Sequence, residues 1–215
     1  MGEGVITVFL ADDHVMVREG LAALIAKDPA LVVVGQCGDG IKVVEQVVHL
    51  KPDVVVLDIT LPGFNGLDVC RELAHAAADS AILILTMHDD EQFVARALEY
   101  GALGYLLKES AADRLTEAIR TVARGQTYLG PGIPADMLGR PARGQDDPYD
   151  NLTARERQVL QLIVEGKTNR KIAEHLSLSP KTVDTHRLHL MHKLNIHDQT
   201  SLVKYAIRRG VVSLR

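Results

Sequence analysis

Along the first half of the chain, short uninterrupted apolar runs alternate with stretches whose apolar positions recur every three or four residues. Val5-Ile6-Thr7-Val8-Phe9-Leu10-Ala11 reads as a strand, and Val17, Leu21, Leu24 and Ile25 then fall at helical spacing until Asp28-Pro29 closes the helix. Leu31-Val32-Val33-Val34-Gly35 is a second strand, followed by a helix from Ile41 to Leu50. Val54-Val55-Val56-Leu57 is a third, with a helix about Leu67 to Ala77 behind it. Ala81-Ile82-Leu83-Ile84-Leu85 precedes a helix containing Phe93, Ala97 and Leu98, and Leu103-Gly104-Tyr105-Leu106-Leu107 precedes one marked by Leu115, Ile119 and Val122. Continuous apolar runs suit strands buried on both faces, as in parallel sheets. Strand–helix units repeated in this way predict an α/β fold, a doubly wound five-stranded parallel sheet, over residues 1–124.

Beyond Val122 the pattern lapses. Gly125 to Asp150 is rich in glycine and proline and reads as a linker with at most a short helix near Ala135–Leu138. From 151 to 215 a different pattern takes over. Thr153 followed by Glu156 is a capping box opening a helix with Val159, Leu160, Leu162 and Ile163 inward, and Gly166 ends it. A short helix with Ile172, Ala173 and Leu176 leads through Ser177-Leu178 to a third, capped by Ser179 with Pro180 in its first turn. Asp198 or Thr200 opens a fourth, with Leu202, Val203, Ala206 and Ile207 apolar. Two short helices joined by a tight turn within a small all-α four-helix unit indicate a helix-turn-helix.

Composition adds little until it is split. At 215 residues, 47% hydrophobic and 24% charged, the chain is ordinary for a globular protein. No apolar run approaches the roughly 18 residues of a membrane span, and the first residues do not read as a signal peptide, so a cytoplasmic protein without membrane partners is expected. Cys37 and Cys70 make no disulfide framework. The net charge of −4 hides an asymmetry: residues 1–150 carry 12 basic and 23 acidic residues, a net of −11, and residues 151–215 carry 12 and 5, a net of +7. Two modules with different partners follow, the partner of the basic one being anionic.

The strand ends carry the chemistry. Asp12-Asp13, Asp58, Thr86 and Lys108 each stand where an apolar run stops, and right-handed crossovers bring those ends to one side of the sheet, where open α/β folds bind ligands. Three carboxylates with one ammonium call for a cation, and hard oxygens select Mg²⁺. Such a cluster can accept a phosphoryl group: Asp58 as nucleophile, Asp12 and Asp13 holding Mg²⁺, Lys108 supplying a second positive charge, and Thr86 donating its hydroxyl to the bound phosphoryl.

Asp12-Asp13, Asp58 with Pro62-Gly63 and Gly66, Thr86, Tyr105 and Lys108 together resemble the receiver domain of a bacterial two-component response regulator. The resemblance implies phosphate from a sensor histidine kinase, the backbone carbonyl of Thr60 as a further metal ligand, and a switch in which Thr86 and Tyr105 move inward on phosphorylation. It also places Thr60 and His88 at positions that influence dephosphorylation. Glu109 stands after Lys108 where many receivers have proline, so no cis bond is implied there.

On the third helix of the basic module, Lys181, Thr182 and Lys193 suit DNA phosphates, Asp184, Thr185 and Leu188 suit base edges, and Arg187 either. His186, His189, His192 and His197 put no i, i+4 pair on one face and read as packing or phosphate contacts rather than a zinc site. Leu152-Thr153-x-Arg155-Glu156, Gly166-Lys167-Thr168-Asn169-Arg170-Lys171-Ile172-Ala173 and Ser179-Pro180-Lys181-Thr182-Val183-Asp184-Thr185-His186 resemble the LuxR-type output domain. The whole chain therefore resembles a NarL/FixJ-type response regulator, which implies a dimer formed through Val203 and Ile207. The expected protein is a transcription regulator rather than an enzyme. Phosphorylation gates its dimerisation and its binding to double-stranded operator DNA, and before phosphorylation the receiver either covers the recognition helix or keeps the chain monomeric. The alternatives are an atypical regulator of the same fold that ignores phosphate, and a flavodoxin-like or phosphatase enzyme, whose glycine-rich or Asp-x-Asp-x-Thr loop is missing after strands one and three.

Overall fold

A computed structural model describes residues 4–76, 79–138 and 147–212. The first half runs β1 (Ile6–Ala11), α1 (Val15–Ile25), β2 (Leu31–Cys37), α2 (Gly40–Leu50), β3 (Val54–Leu57), α3 (Gly66–Ala76), β4 (Ala81–Thr86), α4 (Glu91–Glu99), β5 (Gly104–Leu107) and α5 (Ala111–Ala123). The strands are parallel in the order β2-β1-β3-β4-β5, with Phe9 beside Val55, Val55 beside Ile82 and Ile84 beside Tyr105. Alternate residues point to opposite faces. Val8, Leu10, Val54, Val56, Leu83 and Leu85 pack against Leu21, Ile25, Leu115 and Ile119 of α1 and α5, while Phe9, Val55, Leu57, Ile82 and Ile84 meet Val43, Val47, Leu73 and Val94 of α2, α3 and α4. Both faces of β3 are covered, and all four of its residues are buried.

The sheet has six strands, not five. β6 (Tyr128–Leu129) adds in parallel to β5, with Tyr128 N–H donating to Leu103 O at 2.9 Å and Gly130 N–H to Tyr105 O at 2.8 Å. A two-residue strand has no period to read. Gly130 lies so close to the sheet that a Cβ there would stand 2.7 Å from Leu106 Cδ1. Ile133 and Met137 are buried after it, Met137 within a 3₁₀ turn at Ala135–Met137, so the early part of the expected tether is packed against the receiver. The predicted end of the third helix at Ala77 and linker residues 139–146 lie outside the described residues.

The second half contains α6 (Ala154–Val164), α7 (Asn169–Leu176), α8 (Pro180–Lys193) and α9 (Gln199–Arg209), preceded by a 3₁₀ turn at Pro148–Asn151. Thr153, Thr168, Ser179 and Asp198 cap the four helices through their side chains, and the box at Thr153 and Glu156 is complete. Val159, Leu160, Ile172, Val183, Leu190 and Leu202 form the core. Ser177, at φ 54°, makes the left-handed bend between α7 and α8.

Candidate phosphoacceptor cleft and nucleic-acid face

Asp12 and Asp13 follow β1, Asp58 follows β3, Thr86 ends β4 and Lys108 follows β5, so the topology brings every residue singled out at a strand end to one edge. Asp12, Asp58 and Thr86 are buried. Lys108 Nζ donates to Asp58 Oδ2 at 2.8 Å and lies 2.6 Å from Asp12 Oδ2, bridging the two carboxylates. Burial alone would lower the Lys108 pKa, but Asp58 and Asp12 hold the ammonium above its ordinary value. Asp58 Oδ1 is buried without a hydrogen-bond partner. A buried acceptor with no donor is uncommon and marks a place where something binds or reacts.

Asp12, Asp13 and His14 bring ligand-type atoms within 4.8 Å of one another, and His14 Nδ1 is 2.7 Å from Asp13 Oδ1. The carboxylate pair with the partnerless Asp58 oxygen is a donor set that fits a hard divalent cation. The backbone from Asp58 to Phe64 packs closely on Gly66 and Gly40. A Cβ at Gly66 would sit 2.0 Å from the Asp58 carbonyl oxygen and one at Gly40 1.8 Å from that of Phe64, so both positions accept only hydrogen. Among the described residues there is no cis peptide, so Lys108–Glu109 is trans, as the missing proline implies.

Thr86 Oγ1 accepts from His88 N–H at 3.4 Å. Tyr105 is fully buried and its hydroxyl donates to His88 O at 2.7 Å, so this aromatic already points inward. Burial raises its pKa and keeps the phenol protonated. His88 stacks on Phe93 at 4.5 Å and approaches Thr60 Oγ1 at 3.3 Å.

The loop after Asp58 is bonded to the second half. Gly63 N–H donates to Glu165 Oε1 at 2.8 Å, and Gln161 Nε2 donates to Leu61 O at 2.7 Å. Asp68 on α3 is buried and accepts from Asn65 Nδ2 at 2.5 Å, from Arg157 Nη1 at 3.2 Å and from the Tyr149 hydroxyl. Burial pushes its carboxyl up, against the opposing pull of Arg157, Tyr149 and Asn65. Sequence reasoning missed these residues because the apolar positions of α6 account for its helical pattern without them. The signal was there: Arg157, Gln161 and Glu165 stand at i, i+4 and i+8, one polar row along α6 and its C-cap.

On α8, Lys181, Asp184, Thr185 and Leu188 are exposed, Leu188 at 69%, and Thr182 and Arg187 are half-buried. The described residues of the receiver meet α6 through Gln161 and Glu165, α7 through His175 and α9 through Arg209, and Lys181, Asp184, Thr185 and Leu188 of α8 remain exposed. Several expected DNA contacts have partners within the fold. Asp184 accepts from Asn169 Nδ2, Arg187 Nη2 donates to Gln199 Oε1 at 3.3 Å, and Lys193 Nζ donates to Glu156 Oε2 at 2.7 Å. Val203 and Ile207 of α9 border a cavity facing the receiver.

A doubly wound sheet with this edge, joined to a capped helix-turn-helix unit, defines a response regulator. Residues 8–120 match the family described as the response regulator receiver domain, and residues 150–206 match the bacterial regulatory proteins of the luxR family. The chain belongs to the two-component response regulators of NarL/FixJ type, which are transcription regulators. It is 38% identical to the transcriptional regulatory protein LiaR of Bacillus subtilis over 210 residues, covering 97% of this chain and 100% of LiaR. It is 37% identical to the oxygen regulatory protein NreC of Staphylococcus carnosus over 213 residues, covering 95% and 98%. Among solved structures, the response regulator ChrA of a heme-sensing two-component system superposes with a TM-score of 0.52 at 34% identity, covering 97% of this chain and 100% of ChrA. An RcsB–DNA complex shares the fold, with a TM-score of 0.57 at 24% identity over 93% of this chain and 96% of that one.

Proposed function

We propose that Asp58 accepts a phosphoryl group from a sensor histidine kinase and that the resulting charge controls pairing of the chain on double-stranded operator DNA. The observation that carries this reading is the Asp58 carboxylate: Oδ2 is held by Lys108 and Oδ1 is buried with nothing bonded to it. A carboxylate so held is oriented for in-line attack. The oxygen attacks phosphorus, the bond from phosphorus to the kinase imidazole breaks, and an acyl phosphate remains on Asp58. Asp12, Asp13, the Asp58 carboxylate and the Thr60 backbone carbonyl would hold Mg²⁺. The bound ion would neutralise phosphoryl oxygens. Lys108 stays protonated and moves from Asp58 to the new phosphoryl oxygens, Thr86 donates its hydroxyl to one of them, and Tyr105 retains its inward position.

Lys181, Thr182 and Lys193 contact phosphates, Asp184, Thr185 and Leu188 face bases, and Arg187 serves either, with Lys193 leaving Glu156 to do so. Val203 and Ile207 join two chains once α9 leaves the receiver, giving a homodimer on half-sites about 10 bp apart. The protein works in the cytoplasm, where kinase and DNA meet. Incubation with ³²P-acetyl phosphate is expected to label the wild type with acid-labile phosphate and to leave Asp58→Asn unlabelled. Normal labelling of that variant sinks the assignment. Beryllofluoride is expected to lower the protein concentration that retards operator DNA, and equal retardation with and without it would favour the phosphate-independent alternative.

A further inference from the structure

A cavity of about 620 Å³ lies between the two halves. Ile59, Leu61 and Phe93 wall it on the receiver side, and Val164, Val203 and Ile207 on the other. That size and an apolar wall with a few placed polar groups are the usual make-up of a small-molecule site. The polar groups here are one-sided in charge. Asp90 and Glu165 border the cavity, and among the described lining residues there is no lysine or arginine. Arg209, beside the lining residue Gly210, is engaged by Asp147 Oδ2 at 2.5 Å and by the Tyr100 hydroxyl at 3.2 Å. Gln161 borders the cavity with its Nε2 used on Leu61 O and Glu165 Oε1, while its own Oε1 is buried without a donor. The stacked pair His88 and Phe93 adds an aromatic surface of the kind that attracts cations.

We propose that this cavity binds a small amphipathic cation, an apolar body carrying a protonated amine, and that the ligand favours the docked arrangement of the two halves. The ammonium meets Asp90 and Glu165, and the apolar body takes the valine, leucine and isoleucine walls. An apolar carboxylate of the same length meets two like charges. Because the walls come from both halves, the ligand gains its full contacts only while they are docked, and a ligand shifts an equilibrium by its differential affinity for the two states. Only the effect on DNA binding rests on the phosphorylation reading; the binding itself does not.

Calorimetric titration of the full chain with n-octylammonium, n-octanol and n-octanoate tests it. Octylammonium is expected to bind one per chain at least about tenfold more tightly than octanol, and octanoate not at all. Val164→Phe, which pushes a ring into the cavity from its wall, is expected to weaken octylammonium binding while the circular dichroism spectrum stays that of the wild type. Asp90→Asn, at an exposed position, is expected to weaken octylammonium but not octanol. Equal binding of all three probes, or octylammonium binding unchanged in both variants, overturns the site. Beryllofluoride is expected to weaken octylammonium binding; undiminished affinity in a chain that beryllofluoride does drive onto DNA overturns the preference for the docked halves. If beryllofluoride changes nothing, DNA retardation included, the phosphorylation reading fails instead, and octylammonium binding to the untreated chain still decides the site.

Discussion

Lys108 holds apart two carboxylates that would otherwise repel. Removing one partner of a buried pair leaves the other charges uncompensated, which costs about 3–5 kcal/mol when burial is complete. Here the ammonium keeps some contact with solvent, so Lys108→Ala is expected to cost about 2 kcal/mol in the presence of a chelator. Added Mg²⁺ should then raise the Tm of the variant more than that of the wild type, as seen by thermal unfolding with and without the ion. A variant as stable as wild type in chelator would show that Asp12 and Asp58 do not depend on the lysine. Gly66 makes a second residue-scale test. A methyl group there would collide with the Asp58 carbonyl at 2.0 Å, so Gly66→Ala is expected to destabilise by about 1–3 kcal/mol in urea unfolding and to slow labelling of Asp58 as well.

Among the elements, α6 is pinned at its start by the Thr153–Glu156 box, and Lys193 from the end of α8 completes it. Burial works against the Glu156 carboxylate, yet Lys193 and Thr153 outweigh it and hold its pKa below the ordinary 4.5. A carboxyl lowered on folding stabilises the folded state above its unfolded pKa, and that contribution is lost as pH falls through the lowered value. Thermal unfolding is therefore expected to weaken below about pH 4.5, and Glu156→Gln should flatten that acid limb while lowering Tm at neutral pH. The box was legible in the sequence because capping is local: two residues three apart carry the whole signal. β1 to β5 and the strand-end acids were legible for a similar reason, since apolar runs and chain order alone place them. β6 was not, being too short for any period. Nor was the docking of α6, because Asp68, Tyr149 and Arg157 acquire meaning only when segments some 80 residues apart meet.

For the whole molecule, the contact centred on Asp68 joins the two halves. Tyr149→Phe removes one buried hydrogen bond to that carboxylate, at a cost of about 1–2 kcal/mol to the docked state, which is roughly a 5- to 30-fold shift in the docked-to-open ratio. The variant is expected to retard operator DNA without beryllofluoride at a protein concentration several-fold below that of the wild type. Retardation identical to wild type would mean that this contact does not restrain the output half.

The outward side of α8 faces solvent even while the receiver holds α9. With the proposed DNA contacts on that side, a single chain is expected to touch a duplex weakly, with the steep ionic-strength dependence of phosphate contacts. In the proposed function, phosphorylation supplies the second chain it pairs with. If phosphorylation acts by pairing chains rather than by uncovering α8, a cell that simply makes more of the protein is expected to reproduce, at its operators, the occupancy that the kinase otherwise brings about.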